Sequence, residues 1–536
     1  MHHLSADLEV GDALVAAAHP LAGRAGVRIL EAGGNAMDAA LAVAAVTNVV
    51  LPGHCGIGGD AFLLYYEADS NQVYAINSSG VAPSGASPEF FRDAGFAIMP
   101  SDGILSTAVP GQVAAYSSAH RFARLPMPIL FADAIALAAD GFPVDDALHS
   151  WIAREAEKLL RHPGNREVFF PGGEPPDAGE LLVQKDLART LRNIAEAGSD
   201  AFYRGEFARA FYATARALNG LYDGTELAGH TAEVYCPPSV TYRGRRVFAP
   251  RPVSQGLIFL ESMQILEQFD VARLLPGEAD LVHLMVEIKK LAFADRNAYI
   301  GDPEVIPFPY ESLIAPDYAK KRSAKVDMES ASLGPAEPGD PLGDTTYLCT
   351  VDSAGNACSF IHSLSHLFGS GVMVEGTGVL LNNRAGRGFS LEAGHPNCIA
   401  PGKRTMHTLN CFLVLGDDGS LWVGGTPGGD GQPQWNMQVL SYLLDFGMSP
   451  RDAVDFPRWT SFPGTDPASF DQPMVLKMED RFDGAAVEVL QARGHVVELG
   501  GPWEGGGEAM LIGRSGVQER WRAASDARSR GIVLGY

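Results

Sequence analysis

Apolar residues recur with a helical period over Leu21–Glu31, and the run stops at Gly33-Gly34, a pair suited to a helix C-terminus. Asn35 can cap a second helix reaching to about Val50, where Pro52 ends it. The glycines of Gly56-Ile57-Gly58-Gly59-Asp60 then lie between that helix and an apolar strand, Phe62–Tyr66. Dinucleotide binding needs strand, glycines and helix in that order, so these glycines predict close backbone packing instead. Helical spacing returns after Val109-Pro110-Gly111, over Ile129–Asp140, and through the middle third at Ser150–Leu160, Gln184–Ala197, Phe207–Ala217 and about Glu278–Arg296. Beyond residue 345 the pattern changes to strands. Tyr347–Val351 and Ala357–His362 flank the turn cluster Asp352-Ser353-Ala354-Gly355-Asn356, which predicts a hairpin, and Phe412–Leu415 with Leu421–Val423 predicts short strands before a helix over Trp435–Phe446.

Upstream of the hairpin, Glu329–Gly343 has no periodicity and carries acids and prolines, so it reads as an exposed linker. Thr345 stands where that linker meets the strand. Cleavage of the bond before it would give one residue both a hydroxyl nucleophile and a free α-amine, whose pKa of about 7.7–8.0 suits it to act as base. Thr346 offers the same chemistry one residue on.

Composition narrows the classes. The chain has 536 residues, 46% hydrophobic, with 60 glycines and 35 prolines, and a formal net charge of −23. It is globular and long enough for a large layered core. The charge argues against nucleic acid or an anionic membrane as partner, since both need clustered Lys and Arg. Ala39–Leu51, the longest apolar run, falls short of the roughly 20 residues that cross a bilayer. The N-terminal stretch lacks a basic, apolar leader pattern, so a cytoplasmic location is expected. Six cysteines without C-x-x-C spacing suggest neither a zinc site nor a disulfide framework; Cys349 and Cys358, on the two arms of the hairpin, are expected to be buried free thiols, and no cofactor is expected.

Several stretches resemble the γ-glutamyltransferase family. They are Thr345-Thr346, Val351-Asp352, Gly355-Asn356-Ala357, Phe368-Gly369-Ser370-Gly371, Leu380-Leu381-Asn382-Asn383 and Pro427-Gly428-Gly429, together with Gly33–Ala40, Gly56–Gly59, Ser254-Gln255-Gly256 and Asp455–Trp459. The resemblance spans almost the whole chain. It implies an α+β, four-layer αββα N-terminal-nucleophile hydrolase fold, made as one precursor and cut into a large subunit, 1–344, ending in the exposed linker 329–344, and a small subunit, 345–536, beginning at the catalytic threonine. It also implies Thr345 as nucleophile, the amides of Gly428 and Gly429 as oxyanion donors, Ser363 as the hydroxyl partner of the nucleophile, and Ser365 as a substrate contact.

The pocket departs from that pattern. Where the family holds a substrate carboxylate with arginine before an Ala-Pro pair, Ser79 stands before Ala82-Pro83. Where it holds the α-amine with glutamine and an acid, Arg384 and Arg387 stand, and two pocket serines become His407 and Thr408. An ammonium 4 Å from a guanidinium is repelled by roughly 1–4 kcal/mol, according to the local dielectric. Arg384 and Arg387 therefore favour a carboxylate or oxalyl group, unless they pair with acids such as Glu392. The segment from Gly394 to Arg404 is short, which suggests a missing lid and an open, water-accessible site.

These departures resemble the divergent branch that includes oxamate amidohydrolases, cephalosporin-type acylases and natural-product enzymes that remove an oxalyl group by carbon–carbon cleavage. The expectation is an amide or acyl hydrolase acting on a small-molecule substrate. A carbon–carbon hydrolase, a true γ-glutamyl transferase and an unprocessed non-catalytic homologue remain as alternatives.

Overall fold

Strands that bury both faces carry long apolar runs, and here they form two seven-stranded antiparallel sheets packed face to face. The computed structural model describes residues 9–332, 344–464, 474–502 and 506–536; most of the expected linker, 333–343, lies outside them. In one sheet the order runs Ile532–Gly535, Leu14–Ala17, Asp344–Val351, Ala357–Ser365, Asp60–Glu67, Gln72–Ser78, Glu233–Tyr235. In the other it runs Glu9–Gly11, Trp521–Ser525, Met510–Arg514, Leu421–Gly425, Cys411–Gly416, Arg245–Phe248, Ser239–Tyr242. Leu14, Phe62, Leu64, Tyr347, Val351, Leu413, Val423 and Ile512 fill the space between them.

Helices cover both outer faces. Pro20–Glu31, Ala36–Val50 and Gln112–His120 lie against the first sheet, with Ala132–Asp140 packed on Ala36–Val50 and Lys185–Ala197 on Ala132–Asp140; Gly256–Leu266 and Gln432–Leu444 lie against the second, with Ala279–Tyr299 packed on Gly256–Leu266 and Gly484–Ala492 on Ala279–Tyr299. This is the expected αββα layering. No helix among the described residues is long and apolar enough to cross a membrane.

Local chemistry explains the elements nearest the site. Asn35 closes a full capping box with Asp38 at the start of Ala36–Val50. A Cβ on Gly58 or Gly59 would collide with the carbonyl oxygens of Leu380 and Ser363, so close backbone approach is why glycine stands there. The hairpin forms with longer arms than the sequence pattern indicates, Asp344–Val351 and Ala357–Ser365. Cys349 and Cys358 turn to opposite faces of it, one into the inter-sheet core and the other beneath the helices, and all six cysteines are free thiols.

The segments before and after residue 345 are not separate domains. Leu14–Ala17 and Asp60–Glu67 flank the hairpin in the first sheet, and Arg245–Phe248 pairs with Cys411–Gly416 in the second. A cut beside Thr345 would leave both sheets hydrogen-bonded across the two pieces.

Candidate active site

Thr345 lies at an irregularity in the hairpin. Asp344 pairs with Ser365 and Thr346 with His362, so one residue on the first strand faces two, Ser363 and Leu364, on the second. Such a bulge re-aims side chains, and here it sets the Thr345 hydroxyl 3.4 Å from that of Ser363. Ser363 Oγ in turn accepts the Ser365 amide proton at 2.7 Å. Ser365 holds φ at +92°, in the region that favours glycine, and its buried hydroxyl has no hydrogen-bond partner among the described residues.

A second cluster forms around Asp60, which the ladder places opposite Ser363. Its carboxylate accepts from the Gly80 amide at 3.0 Å and from His407 Nε2 at 3.1 Å, and Arg384 Nε lies 3.9 Å away. His407 Nδ1 accepts from the Leu409 amide, so Nε2 carries the proton and donates to Asp60. Burial dominates the electrostatics. It pushes the Asp60 carboxyl up to about 7 despite Arg384. It also pulls the Arg384 guanidinium down to about 9, with Asp60 opposing the shift, and keeps His407 neutral, its pKa well below the ordinary value. Arg384 is 1% exposed, and its Nε and Nη1 make no hydrogen bond with the described residues.

A third cluster joins the glycine turn to the arginines. Gly428 and Gly429 hold φ at +111° and +54°, and the Trp435 ring occupies the space a Cβ on Gly428 would need. Gln255 Nε2 donates to the carbonyls of Gly429, at 2.8 Å, and Thr408, at 2.5 Å, while its Oε1 accepts from Arg296. Arg296 pairs with Asp430 at 2.8 Å, and Arg387 approaches the same carboxylate at 3.9 Å.

The structure therefore gathers Thr345, Ser363 and Ser365 at the hairpin, Arg384 and His407 on Asp60, and Arg387, Thr408 and the two glycines around Asp430 and Gln255. Ser79 lies behind Gly80 with its hydroxyl given to Asn77, and its carbonyl accepts from Arg404 Nε at 3.2 Å.

Two expectations need correction. Arg384 and Arg387 approach Asp60 and Asp430, not Glu392, because chain segments far apart in sequence supply the nearest carboxylates. Nor is the site open: Thr345 is 5% exposed, and Ser79, Ser365, His407 and Thr408 are buried. The 384–404 segment is anchored to the first part of the chain, with Phe389, Leu391 and Ile399 packed against Phe91 and Met99, and the Ala82 amide bonded to the Lys403 carbonyl at 2.8 Å. His362, on the strand beside Thr345, is a satisfied core residue held by Thr47 at 3.2 Å and Gln112 at 2.9 Å. Asp60, Gln255, Arg296, Arg404 and Asp430 escaped the sequence reading as site residues, although Asp60 ends the Gly56–Gly59 run and Asp430 follows the glycine turn.

Known proteins resemble this chain in sequence and in fold. A cephalosporin acylase from Bacillus halodurans superposes with a TM-score of 0.89 at 32% identity, over 99% of this chain and 97% of that one. The glutathione hydrolase-like YwrD proenzyme of Bacillus subtilis is 34% identical over 529 residues, 97% of this chain and 98% of its own. The oxamate amidohydrolase proenzyme of Klebsiella pneumoniae is 35% identical over 533 residues, 98% of each chain. The family model described as gamma-glutamyltranspeptidase matches residues 22–536. By sequence and by fold, this chain belongs to the gamma-glutamyltranspeptidase family of N-terminal-nucleophile hydrolases.

Proposed function

We propose that the chain is a proenzyme that cuts itself between Asp344 and Thr345 and then hydrolyses an amide or acyl bond of a small substrate bearing a carboxylate or oxalyl group. The new α-amine of Thr345 takes the proton from its own hydroxyl as Oγ attacks the substrate carbonyl. Backbone amides at Gly428 and Gly429 receive the developing oxyanion. The amine returns its proton to the leaving group, and water releases the acyl group from Thr345. Before cleavage the 345 nitrogen is an amide without basicity, so the precursor lacks this base. Ser363 supports the Thr345 hydroxyl during self-cleavage.

The observation that carries the substrate class is the state of Arg384, a buried guanidinium with two nitrogens that have no hydrogen-bond partner among the described residues and an aspartate at 3.9 Å. Unmatched donors of this kind cost several kcal/mol unless an anion satisfies them. Counting Arg296, Arg384 and Arg387 against Asp430 and a carboxyl at Asp60 titrating near 7 leaves a positive balance. That balance favours a substrate carboxylate and disfavours the free ammonium of a γ-glutamyl donor. The name of the Klebsiella relative, an oxamate amidohydrolase, is in keeping with this class.

The test is turnover. Purified protein is incubated with oxamate, N-substituted oxamates, neutral acyl amides and a γ-glutamyl anilide, with product release followed by mass. Hydrolysis of the oxamates in preference to the neutral amides and the γ-glutamyl anilide supports the reading. Preference for the γ-glutamyl anilide overturns it.

A further inference from the structure

Away from the nucleophile, the helix Ala279–Tyr299 carries His283 and Glu287 one turn apart on a single face. That face meets the turn between the helix Gly484–Ala492 and the strand Val497–Gly500, where His495 projects. All three side chains are buried, and one ligand atom from each lies within 4.8 Å of the others. His283 Nε2 donates to the Asp327 carbonyl at 2.7 Å, which leaves the lone pair of Nδ1 facing His495 Nε2, 2.8 Å away. A remote imidazole N–H fixed on a carbonyl is how metal-bound histidines are oriented. Glu287 accepts from Lys290 Nζ at 2.7 Å through Oε1 and from the Ser332 amide at 3.1 Å through Oε2, and each oxygen keeps lone-pair capacity.

We propose that His283, Glu287 and His495 form a binding site for a divalent transition ion of the zinc class, tying together chain segments from before and after Thr345. Two imidazoles and one carboxylate suit zinc, cobalt or nickel better than magnesium or calcium. With metal–nitrogen bonds of about 2.0–2.1 Å at tetrahedral angles, the two nitrogens must sit roughly 3.3 Å apart, so the present gap opens by about half an ångström. As the ion binds, His495 gives up the proton on Nε2 and takes one from solvent on Nδ1, so the ring stays neutral in its other tautomer, no electron changes hands, and water fills the fourth position. Lys290 and Arg493, the latter paired with Asp280 at 2.5 Å, oppose the added charge and hold the affinity below that of a closed four-ligand site. Residues Asp327 to Ser332 roof the cluster: Lys290 Nζ donates to the Ser332 carbonyl at 3.0 Å, and the Ala331 amide to the Arg493 carbonyl at 2.8 Å.

Chelator-stripped wild-type protein titrated with Co2+ is expected to take up one ion per protein with tetrahedral visible absorption, which Zn2+ displaces. His495→Asn and Glu287→Gln are each expected to weaken binding by at least about a hundredfold, with hydrolytic activity of the metal-free protein unchanged. A zinc-soaked wild-type crystal should show its anomalous peak between the three side chains, which decides the matter even if a variant fails to fold. Absence of stoichiometric cobalt binding, equal binding by both variants, or a peak elsewhere overturns the proposal.

Discussion

Replacing Arg384 by glutamine probes the substrate pocket most sharply. The guanidinium is buried and has donors with no acceptor among the described residues, so a carboxylate bound there gains charge-assisted hydrogen bonds in a low-dielectric setting. Loss of one partner of such a buried pair costs about 2–5 kcal/mol; taking about 3 kcal/mol gives a fall in kcat/KM of roughly 150-fold. A neutral amide of the same size should lose no more than about threefold, because its transition state never used the charge. The fold should survive the change. Arg384 holds the Asp60 carboxyl down, so without it the acid protonates more readily and leaves no uncompensated buried anion. The assay is a two-by-two comparison of wild type and Arg384→Gln on a carboxylate-bearing amide and its neutral isostere. Equal losses on both substrates, or a carboxylate preference that persists in the variant, would refute the reasoning.

Three further outcomes follow from the same geometry. Ser363→Ala removes the hydroxyl beside Thr345 and the acceptor of the Ser365 amide; at about 1 kcal/mol for a lost hydrogen bond, self-cleavage followed by gel should slow several-fold and recover in Ser363→Thr. Gly428→Ala must place a Cβ against the Trp435 ring at a left-handed φ of +111°, so thermal unfolding should show destabilisation by about 2 kcal/mol or more. Asp60 binds its proton more tightly folded, with a pKa of about 7, than its ordinary value of 3.8, so the folded state holds the extra proton between those values. The stability of wild type relative to Asp60→Asn, read as the difference in Tm, should therefore fall as pH rises from about 4 to 7; a difference that grows with pH contradicts this.

Much of the framework was legible because short-range chemistry sets it. Asn35 and Asp38 announce a helix start three residues apart, the turn at Asp352–Asn356 announces the hairpin, and Gly58 and Gly59 mark a crowded crossing of backbones. The arms of the hairpin were harder to bound, since Ser363 to Ser365 leave the apolar alternation while remaining in the ladder. The pocket's electrostatics were not legible. Asp60 meets Arg384 and His407, more than three hundred residues later, and Arg296 meets Asp430 across two elements, so no local pattern distinguishes these acids from solvated ones. The burial of Thr345 and its neighbours was not legible either, because the length of the 394–404 segment does not report the packing around the hairpin. His283 and Glu287 were not singled out in the sequence although they stand at a helical i, i+4 spacing, and His495 joins them only through packing.

The central claim is that Thr345 becomes a chain terminus and carries the acyl group. Purified active protein quenched during turnover and digested for peptide mass mapping tests it directly. The account predicts that the 57.0 kDa chain is recovered as two pieces of about 37 and 20 kDa, in proportion to the lengths on either side of the cut. The smaller should begin at Thr345, with the substrate acyl mass on that residue, and Thr345→Ala should yield neither cut nor adduct. A fully active preparation whose chain remains uncut, or whose new terminus and adduct lie on another residue, would contradict it.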